Sequence, residues 1–276
     1  MLVRIAAAAT AADRNRVRRH AYRRRTNGGY PLRIVRRYPR RHLVPTVQFW
    51  VMHIVTSPRG ATVSQVQHKR APVRFLVFSA SLQADSLNSR LAALAADTIE
   101  ANGGQVDRAS MADFDTPSFD AELLATQGQP HGAKEFRRRL QRGDAFVISS
   151  PEYNHSMPGA LKNSIDWVSR FDPQPFNRRH GLLLGASPSL VGGNRGLGAL
   201  RIPLESLGAR IYPQMFSLAR AHEAFDASGR ITDDALQQRF DSNVISFMDL
   251  VEASTHYPRL KKAWAAIPDH TGDVAV

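Results

Sequence analysis

The chain has 276 residues, of which 43% are hydrophobic, and a formal net charge of +13 at pH 7. It contains no cysteine, which excludes disulfides, thiol nucleophiles and thiolate metal sites. No apolar run approaches the roughly 18 residues that a membrane span requires. A membrane protein is therefore not expected. No two of the ten histidines stand three or four positions apart, so a histidine metal site on one helix face is not expected either.

The positive charge is concentrated in the first quarter of the chain. Residues 1–70 hold 16 of the 37 Lys and Arg residues and a single acid, Asp13, whereas residues 71–276 hold 21 basic and 23 acidic residues. The two parts therefore carry +15 and −2. Because a segment with so much like charge buries too little apolar surface to fold, residues 1–71 are predicted to form a disordered basic extension.

Four interpretations of this extension remain open. The favoured one is that translation starts near Met52 and that the upstream residues come from an overlong gene prediction. The second is a nucleic-acid-binding arm, because clustered arginines bind phosphates without sequence preference. The third is an organellar transit peptide, which is typically rich in arginine and poor in acids. The last is a twin-arginine export signal at Arg40 and Arg41, although Pro45 interrupts the apolar stretch that follows.

From residue 72 onward, short apolar runs alternate with segments of helical periodicity. The pattern predicts five strands, at residues 73–78, 106–109, 145–149, 181–186 and 211–218. It predicts five helices, at residues 87–101, 133–142, 158–171, 196–207 and 232–254, the last one capped by Thr232. Residues 111–130 are predicted to be irregular.

This alternation is typical of right-handed βαβ units. We therefore expect an α/β fold with a doubly wound, five-stranded parallel sheet over residues 72–255, followed by a tail at residues 256–276.

The loop after the first strand is a candidate phosphate site. Residues 79–88 read SASLQADSLN and lead directly into the first helix. A helix N-terminus carries partial positive charge and unpaired N–H groups, which is why phosphates bind there. Ser81, Ser86 and Asn88 add polar side chains. Taken alone, the loop is explained equally well by simple helix capping through Ser86.

The longest polar motif follows the third strand. Residues 151–167 read PEYNHSMPGALKNSIDW, a turn-forming and aromatic segment that leads into a helix. In open α/β sheets, ligands bind where the carboxyl ends of strands meet helix N-termini. Such a loop can hold a flat heteroaromatic ligand through its backbone amides, with Tyr153 and Asn154 beside it.

Residues 151–167 closely resemble the signature of the NAD(P)H-dependent FMN reductase family, flavodoxin-like enzymes that include quinone, chromate and azo-dye reductases. The resemblance extends over residues 72–255. It implies the flavodoxin-like strand order 2-1-3-4-5, with helices on both faces of the sheet. It also implies FMN as the cofactor, NADPH or NADH as the co-substrate, and a homodimer or homotetramer in the cytoplasm.

The reaction implied by the resemblance passes hydride from nicotinamide to N5 of FMN and then to a quinone-like small acceptor, with ping-pong kinetics. No protein acid or base is needed for the hydride step. Two alternatives are retained. One is a flavodoxin-type electron carrier that binds FMN without oxidising a nicotinamide, and the other is a nucleic-acid-binding protein that uses the basic extension.

The resemblance assigns FMN contacts to three loops at strand ends. They are Ser79, Ser81, Gln83, Ser86, Leu87 and Asn88 in the first loop, Pro151, Glu152, Tyr153, Asn154 and His155 in the second, and Ser187, Gly192 and Gly193 in the third. Ser81, Ser86 and Asn88 are expected to hold the phosphate, and Tyr153 and Asn154 to frame the ring.

The first loop departs from the family pattern at two positions. Family members usually read Gly-Ser-Leu-Arg there, whereas this chain has Ala80 in place of the glycine and Gln83 in place of the arginine. Losing the arginine removes a charge-assisted hydrogen bond worth about 1.5–3 kcal/mol. The sequence therefore predicts weaker FMN binding than in arginine-bearing relatives.

Overall fold

The computed structural model describes the backbone of residues 72–265 and the side chains as far as residue 258. The predicted basic extension at residues 1–71, with its alternative start near Met52, lies outside the described residues, and so do residues 266–276 of the predicted tail.

The described residues form alternating strands and helices, separated by short loops. The strands are β1 (Arg74–Ser79), β2 (Gln105–Ser110), β3 (Ala145–Ser149), β4 (His180–Ala186), β5 (Arg210–Ile211) and β6 (Phe216–Leu218). The helices are α1 (Leu87–Ala101), α2 (Ala121–Gln127), α3 (His131–Arg142), α4 (Gly159–Val168), α5 (Asn194–Ser206) and α6 (Asp234–Ala265). One turn of 3₁₀ helix, Met111–Phe114, follows β2.

All strand pairs in the sheet are parallel, and the strand order is β2-β1-β3-β4-β5, with β6 also paired to β4. This order confirms the predicted flavodoxin-like α/β fold. Strands β3 and β4 are buried along their whole length. Burial on both faces explains why these two strands read as continuous apolar runs.

The predicted fifth strand at residues 211–218 is wrong as a single element. The chain forms two short strands instead, and each pairs separately with β4. Between them lies Pro213, which has no N–H to contribute to a strand ladder. The apolar pattern correctly predicted that residues 211–218 contribute to the sheet, and Pro213 divides them into two short strands.

Most other predicted elements differ from the observed bounds by one to three residues at an end, and larger differences occur at residues 111–130 and in α6. Residues 111–130 are not wholly irregular, because Asp120 accepts the Glu122 and Leu123 N–H groups and starts helix α2. Helix α6 is capped by Asp233, whose side chain accepts the Leu236 N–H at 2.9 Å, rather than by Thr232. It also continues to residue 265, beyond the predicted end at 254.

Each face of the sheet carries its own apolar core. Helices α1 and α6 cover one face, where Val77, Val147 and Leu184 point. Helices α3, α4 and α5 cover the other face, where Phe78 and Phe146 point. Because alternate residues of a strand face opposite sides, this arrangement fixes the register of the sheet. The strand ends that carry the polar loops are thereby held at one edge.

An ion-pair cluster on α3 stabilises the outer surface of the second core. Glu135 accepts hydrogen bonds from Arg138 at 2.6 Å and from Arg139 at 2.7 Å. These two guanidinium groups lower the pKa of Glu135 from 4.5 to about 2. Arg139 continues the cluster to Asp107 at 2.8 Å and so links α3 to β2.

In the part of the chain that the structure describes, none of the helices combines the length and the apolar character that crossing a membrane would require.

Candidate functional site

The loops after β1, β3 and β4 meet at one edge of the sheet. The Ala80 N–H donates to the Ser149 carbonyl oxygen at 2.8 Å, and the Ser150 N–H donates to the Leu184 carbonyl oxygen at the same distance. These bonds continue the strand ladders past the ends of β1 and β3. The three loops to which the sequence assigned FMN contacts are therefore neighbours in space.

Asn88 ties the start of α1 to the ends of β3 and β4. Its side chain is only 3% exposed, and its Oδ1 accepts hydrogen bonds from the Ser149 hydroxyl and the Ala186 N–H, both at 3.0 Å. Its Nδ2 donates to the Ala186 carbonyl oxygen at 2.9 Å. A phosphate contact for Asn88 stays a prediction, and the observed bonds show that its side chain positions the loops.

The start of α1 offers unpaired backbone donors. Ser86 caps the helix, because its hydroxyl accepts the Ser89 N–H at 3.0 Å. The N–H groups of Leu87 and Asn88, at the first two helical positions, have no partner in the described part of the chain. Two free donors at the positive end of a helix form a site suited to an anion.

Serine hydroxyls shape the rest of the first loop. The Ser79 hydroxyl accepts the Ser81 N–H, and the Ser81 hydroxyl accepts the Gln83 N–H, both at 3.2 Å. Because a hydroxyl that accepts one bond can still donate its own proton, both serines keep a donor for a ligand. The Gln83 side chain is exposed and forms no hydrogen bond within the described residues.

The second loop contains a tight hairpin. Tyr153 and Ser156 exchange backbone hydrogen bonds of 2.9 and 3.0 Å across the two residues between them. Asn154 and His155 have φ values of 51° and 63°. This left-handed pair resembles a type I′ turn, which asparagine tolerates better than histidine does. The turn leaves the Tyr153 side chain 55% exposed.

Glu152 joins the second loop to helix α5. Its carboxylate accepts the Gly196 N–H at 2.9 Å, in the first turn of that helix. A Cβ atom on Gly196 would lie 3.0 Å from the Glu152 Cβ, so glycine permits this close approach. The Glu152 side chain therefore holds α5, which leaves its backbone as the part able to face a ligand.

The third loop is pressed against β6. The Ser187 N–H donates to the Leu218 carbonyl oxygen at 3.1 Å. Gly192 has φ +66°, and a Cβ atom there would lie 2.9 Å from the Ala219 nitrogen, so only glycine fits without movement. Gly193 has φ +86°, and its Cβ direction points toward Glu152 at 3.8 Å. Gly193 thus brings the third loop close to Glu152 of the second loop, while Gly192 packs against the backbone of Leu218 and Ala219.

Exposed apolar side chains come from all three loops. Leu82 in the first loop is 68% exposed and Leu190 in the third is 75% exposed, and Tyr153 belongs to the second. The arrangement combines hydrogen-bond donors around the start of α1 with apolar side chains on the other loops. It can bind a ligand that has an anionic end and a flat apolar end.

The second half of residues 151–167 has a structural role that the sequence did not reveal. The Asn163 side chain bonds the Thr116 hydroxyl at 3.0 Å, the Pro117 carbonyl oxygen at 2.9 Å and the Phe119 N–H at 2.8 Å. The buried Trp167 donates its indole N–H to the same Pro117 oxygen at 2.7 Å. These residues anchor the segment before α2, and no periodic pattern could have indicated a partner so distant in sequence.

Comparison with protein families gives a match that spans more than half of the chain. A family model described as NADPH-dependent FMN reductase matches residues 73–223. The chain belongs to this family. The matched range contains all three loops.

Individual relatives agree with the family. The NAD(P)H-dependent FMN reductase of Pseudomonas aeruginosa is 33% identical over 167 residues, which cover 60% of this chain and 88% of the relative. The quinone reductase of Escherichia coli K12 is 29% identical over 140 residues, which cover 50% of this chain and 74% of the relative. Among solved structures, the flavoenzyme NAD(P)H:(acceptor) oxidoreductase FerB of Paracoccus denitrificans is similar with a TM-score of 0.56 and 26% identity, covering 65% of this chain and 97% of FerB.

Family membership confirms the prediction of an oxidoreductase that uses FMN and NAD(P)H. The individual FMN contacts, the acceptor, the order of the reaction and the oligomeric state stay predictions. Among the described residues, no group of three His, Asp or Glu side chains is placed to hold a metal ion.

Proposed function

We propose that the protein transfers hydride from NADPH or NADH through bound FMN to a quinone-like small acceptor, with ping-pong kinetics. The observation that carries the proposal is the meeting of the three loops around the free N–H groups of Leu87 and Asn88. The names of the relatives, an FMN reductase and a quinone reductase, support the same reaction class.

The residues present fit FMN. The N–H groups at the start of α1 and the hydroxyls of Ser81 and Ser86 provide donors for a phosphate. Gly192 and Gly193 have no side chains, and we propose that a planar ring meets their backbone atoms. When bound, FMN supplies a ring that accepts and releases hydride.

The exposed apolar side chains define the acceptor class. Tyr153, Leu82 and Leu190 are open to solvent, so a flat apolar molecule can reach the site. We propose that nicotinamide and acceptor occupy this space in turn, which gives ping-pong kinetics. Exposed apolar side chains outside the loops, such as Ile202 and Tyr257, are typical of protein contact surfaces, and we propose that the chain forms a homodimer or homotetramer.

Steady-state kinetics test the proposal. The purified protein, saturated with FMN, is assayed for NADPH oxidation while NADPH and a benzoquinone are varied together. Parallel lines in a double-reciprocal plot are expected. A protein that retains FMN but oxidises NADPH no faster than free FMN would instead be an electron carrier, and the proposal would be wrong.

We further propose that turnover does not depend on the basic extension. Deleting residues 1–51 should leave the kinetic constants unchanged. If the extension binds nucleic acid, the same deletion abolishes salt-dependent binding of DNA to the protein. A large loss of NADPH oxidation after the deletion would contradict this proposal.

A further inference from the structure

A cavity lies at the opposite edge of the sheet from the three loops. It has a volume of about 330 Å³ and is lined by residues at the starts of β3, β4 and β5 and by residues 254 and 255 of α6. The strand starts and the strand ends are separated by the length of the sheet, so this cavity is distinct from the three loops.

The cavity has an excess of positive charge. Arg178, Arg179 and Arg210 line it, against one carboxylate, Asp144. Asp144 is already engaged, because it accepts the Arg74 N–H at 2.9 Å. The guanidinium groups of Arg178 and Arg210 are exposed and have no hydrogen-bond or ion-pair partner among the described residues.

The backbone holds these arginines together. The Arg178 N–H donates to the Gly208 carbonyl oxygen, and the Arg210 N–H donates to the Arg179 carbonyl oxygen, both at 2.8 Å. Arg178 itself has φ 64°, a left-handed conformation that a residue with a side chain rarely adopts. Such backbone strain is frequent where a protein fixes side chains for binding.

Arg179 provides a fixed charge at the base of the cavity. Its guanidinium group donates to the carbonyl oxygens of Gly143 and Gln141, which close the turn before β3. Burial lowers the pKa of Arg179 from its ordinary value, while Asp144 partly offsets this effect. An arginine in this position stays positively charged at neutral pH.

His180 is a buried polar residue without a partner. It is 9% exposed, it lines the cavity, and its Nε2 forms no hydrogen bond within the described residues. Leu182 and Leu184 face α6, and strand alternation places the His180 side chain on the same face, toward Ser254 and Thr255. An unpaired buried nitrogen is costly, so His180 is an unsatisfied polar group beside the cavity.

We infer that this cavity binds a small phosphate-bearing anion, of the size of pyrophosphate or a phosphate monoester. Arg178, Arg179 and Arg210 line the cavity, and the guanidinium groups of Arg178 and Arg210 are unpaired among the described residues. Guanidinium groups match the oxygen geometry of phosphates. Thr255 adds a hydroxyl on the α6 side, whereas the Ser254 hydroxyl already donates to the Val251 carbonyl oxygen at 2.9 Å. The inference is independent of the proposed reaction.

Pyrophosphate binding to the full-length protein tests this inference. The protein is saturated with FMN so that the start of α1 is occupied, and pyrophosphate is titrated by calorimetry at constant ionic strength. The variant Arg178→Gln/Arg210→Gln should bind at least about tenfold more weakly, because two charge-assisted contacts are lost. The control Lys134→Gln/Arg230→Gln removes two exposed charges outside the cavity and should bind like the wild type.

Hydrogen exchange locates the bound anion. Pyrophosphate should protect residues 177–180 and 208–211 in the wild type and in the control variant, but not in Arg178→Gln/Arg210→Gln. Equal affinity in all three proteins would overturn the inference, and so would protection confined to other segments. Binding of an oligonucleotide without binding of pyrophosphate would also overturn it. Both substituted arginines are exposed, so the variant is expected to fold.

Discussion

Replacing Asn88 with alanine tests whether this residue positions the loops or contacts the phosphate. The substitution removes three hydrogen bonds, two to Ala186 and one to Ser149, at the point where the ends of β1, β3 and β4 meet. If Asn88 acts through these bonds, the FMN-free protein must lose stability. If it acts only by touching the phosphate, the FMN-free protein must be unchanged.

The magnitude follows from the number of bonds. A buried hydrogen bond contributes about 1 kcal/mol, so three give roughly 3 kcal/mol of lost unfolding free energy. Each kilocalorie shifts the melting temperature of a domain this size by roughly 2–4 °C, which predicts a fall of roughly 6–12 °C. FMN affinity should fall as well, because the loops are no longer held in place.

Urea unfolding of the FMN-free protein measures this loss. A matched control is Asn102→Ala, since the Asn102 amide also bonds a main-chain oxygen, that of Thr98 at 2.8 Å, but in an exposed position. The control should lose less than about 1 kcal/mol. An Asn88→Ala protein as stable as the control would refute the positioning role and favour direct phosphate contact.

Three other predictions concern single positions. Gln83→Arg should tighten FMN binding roughly tenfold or more by restoring a charge-assisted hydrogen bond, and an unchanged Kd from flavin fluorescence would contradict this. Gly192→Ala should weaken FMN binding and cost roughly 1–3 kcal/mol of stability, whereas Gly198→Ala, whose Cβ meets open space in a helix, should be neutral or slightly stabilising. The stability that Glu135 contributes is complete above pH 4.5 and is lost as the pH falls to about 2, so the difference in unfolding free energy between the wild type and Glu135→Gln should shrink across that window. A constant difference from pH 6 to pH 2 would contradict the ion-pair explanation.

Periodicity predicted most of the fold because the central strands are buried on both faces. The apolar run at residues 145–149 and the helix at residues 87–101 match the observed β3 and α1 in both bounds. The pattern failed where a local feature outweighed it. Pro213 divides the fifth strand, and Asp233 rather than Thr232 supplies the capping oxygen of α6.

The proximity of the three loops was predictable from the sequence, but the hydrogen-bond partners of their side chains were not. Loops that follow parallel strands share one edge, so the sequence could bring the three polar segments together. It could not show that the side chains of Asn88 and Glu152 form hydrogen bonds with Ala186 and Gly196, because those partners lie 98 and 44 positions away. Amide and carboxylate side chains serve a ligand or a neighbouring loop equally well, and only the three-dimensional arrangement distinguishes the two.

Because the fifth position of the sheet is divided into β5 and β6, the turn between these two strands should tolerate insertions. β5 and β6 are bonded to β4 independently, so the turn at residues 212–215 connects two anchored ends. Insertions in that turn should change only the local surface, and the Ser187 N–H should still donate to the Leu218 carbonyl oxygen. This stretch is therefore a suitable place to attach a reporter or a tether without disturbing the three loops.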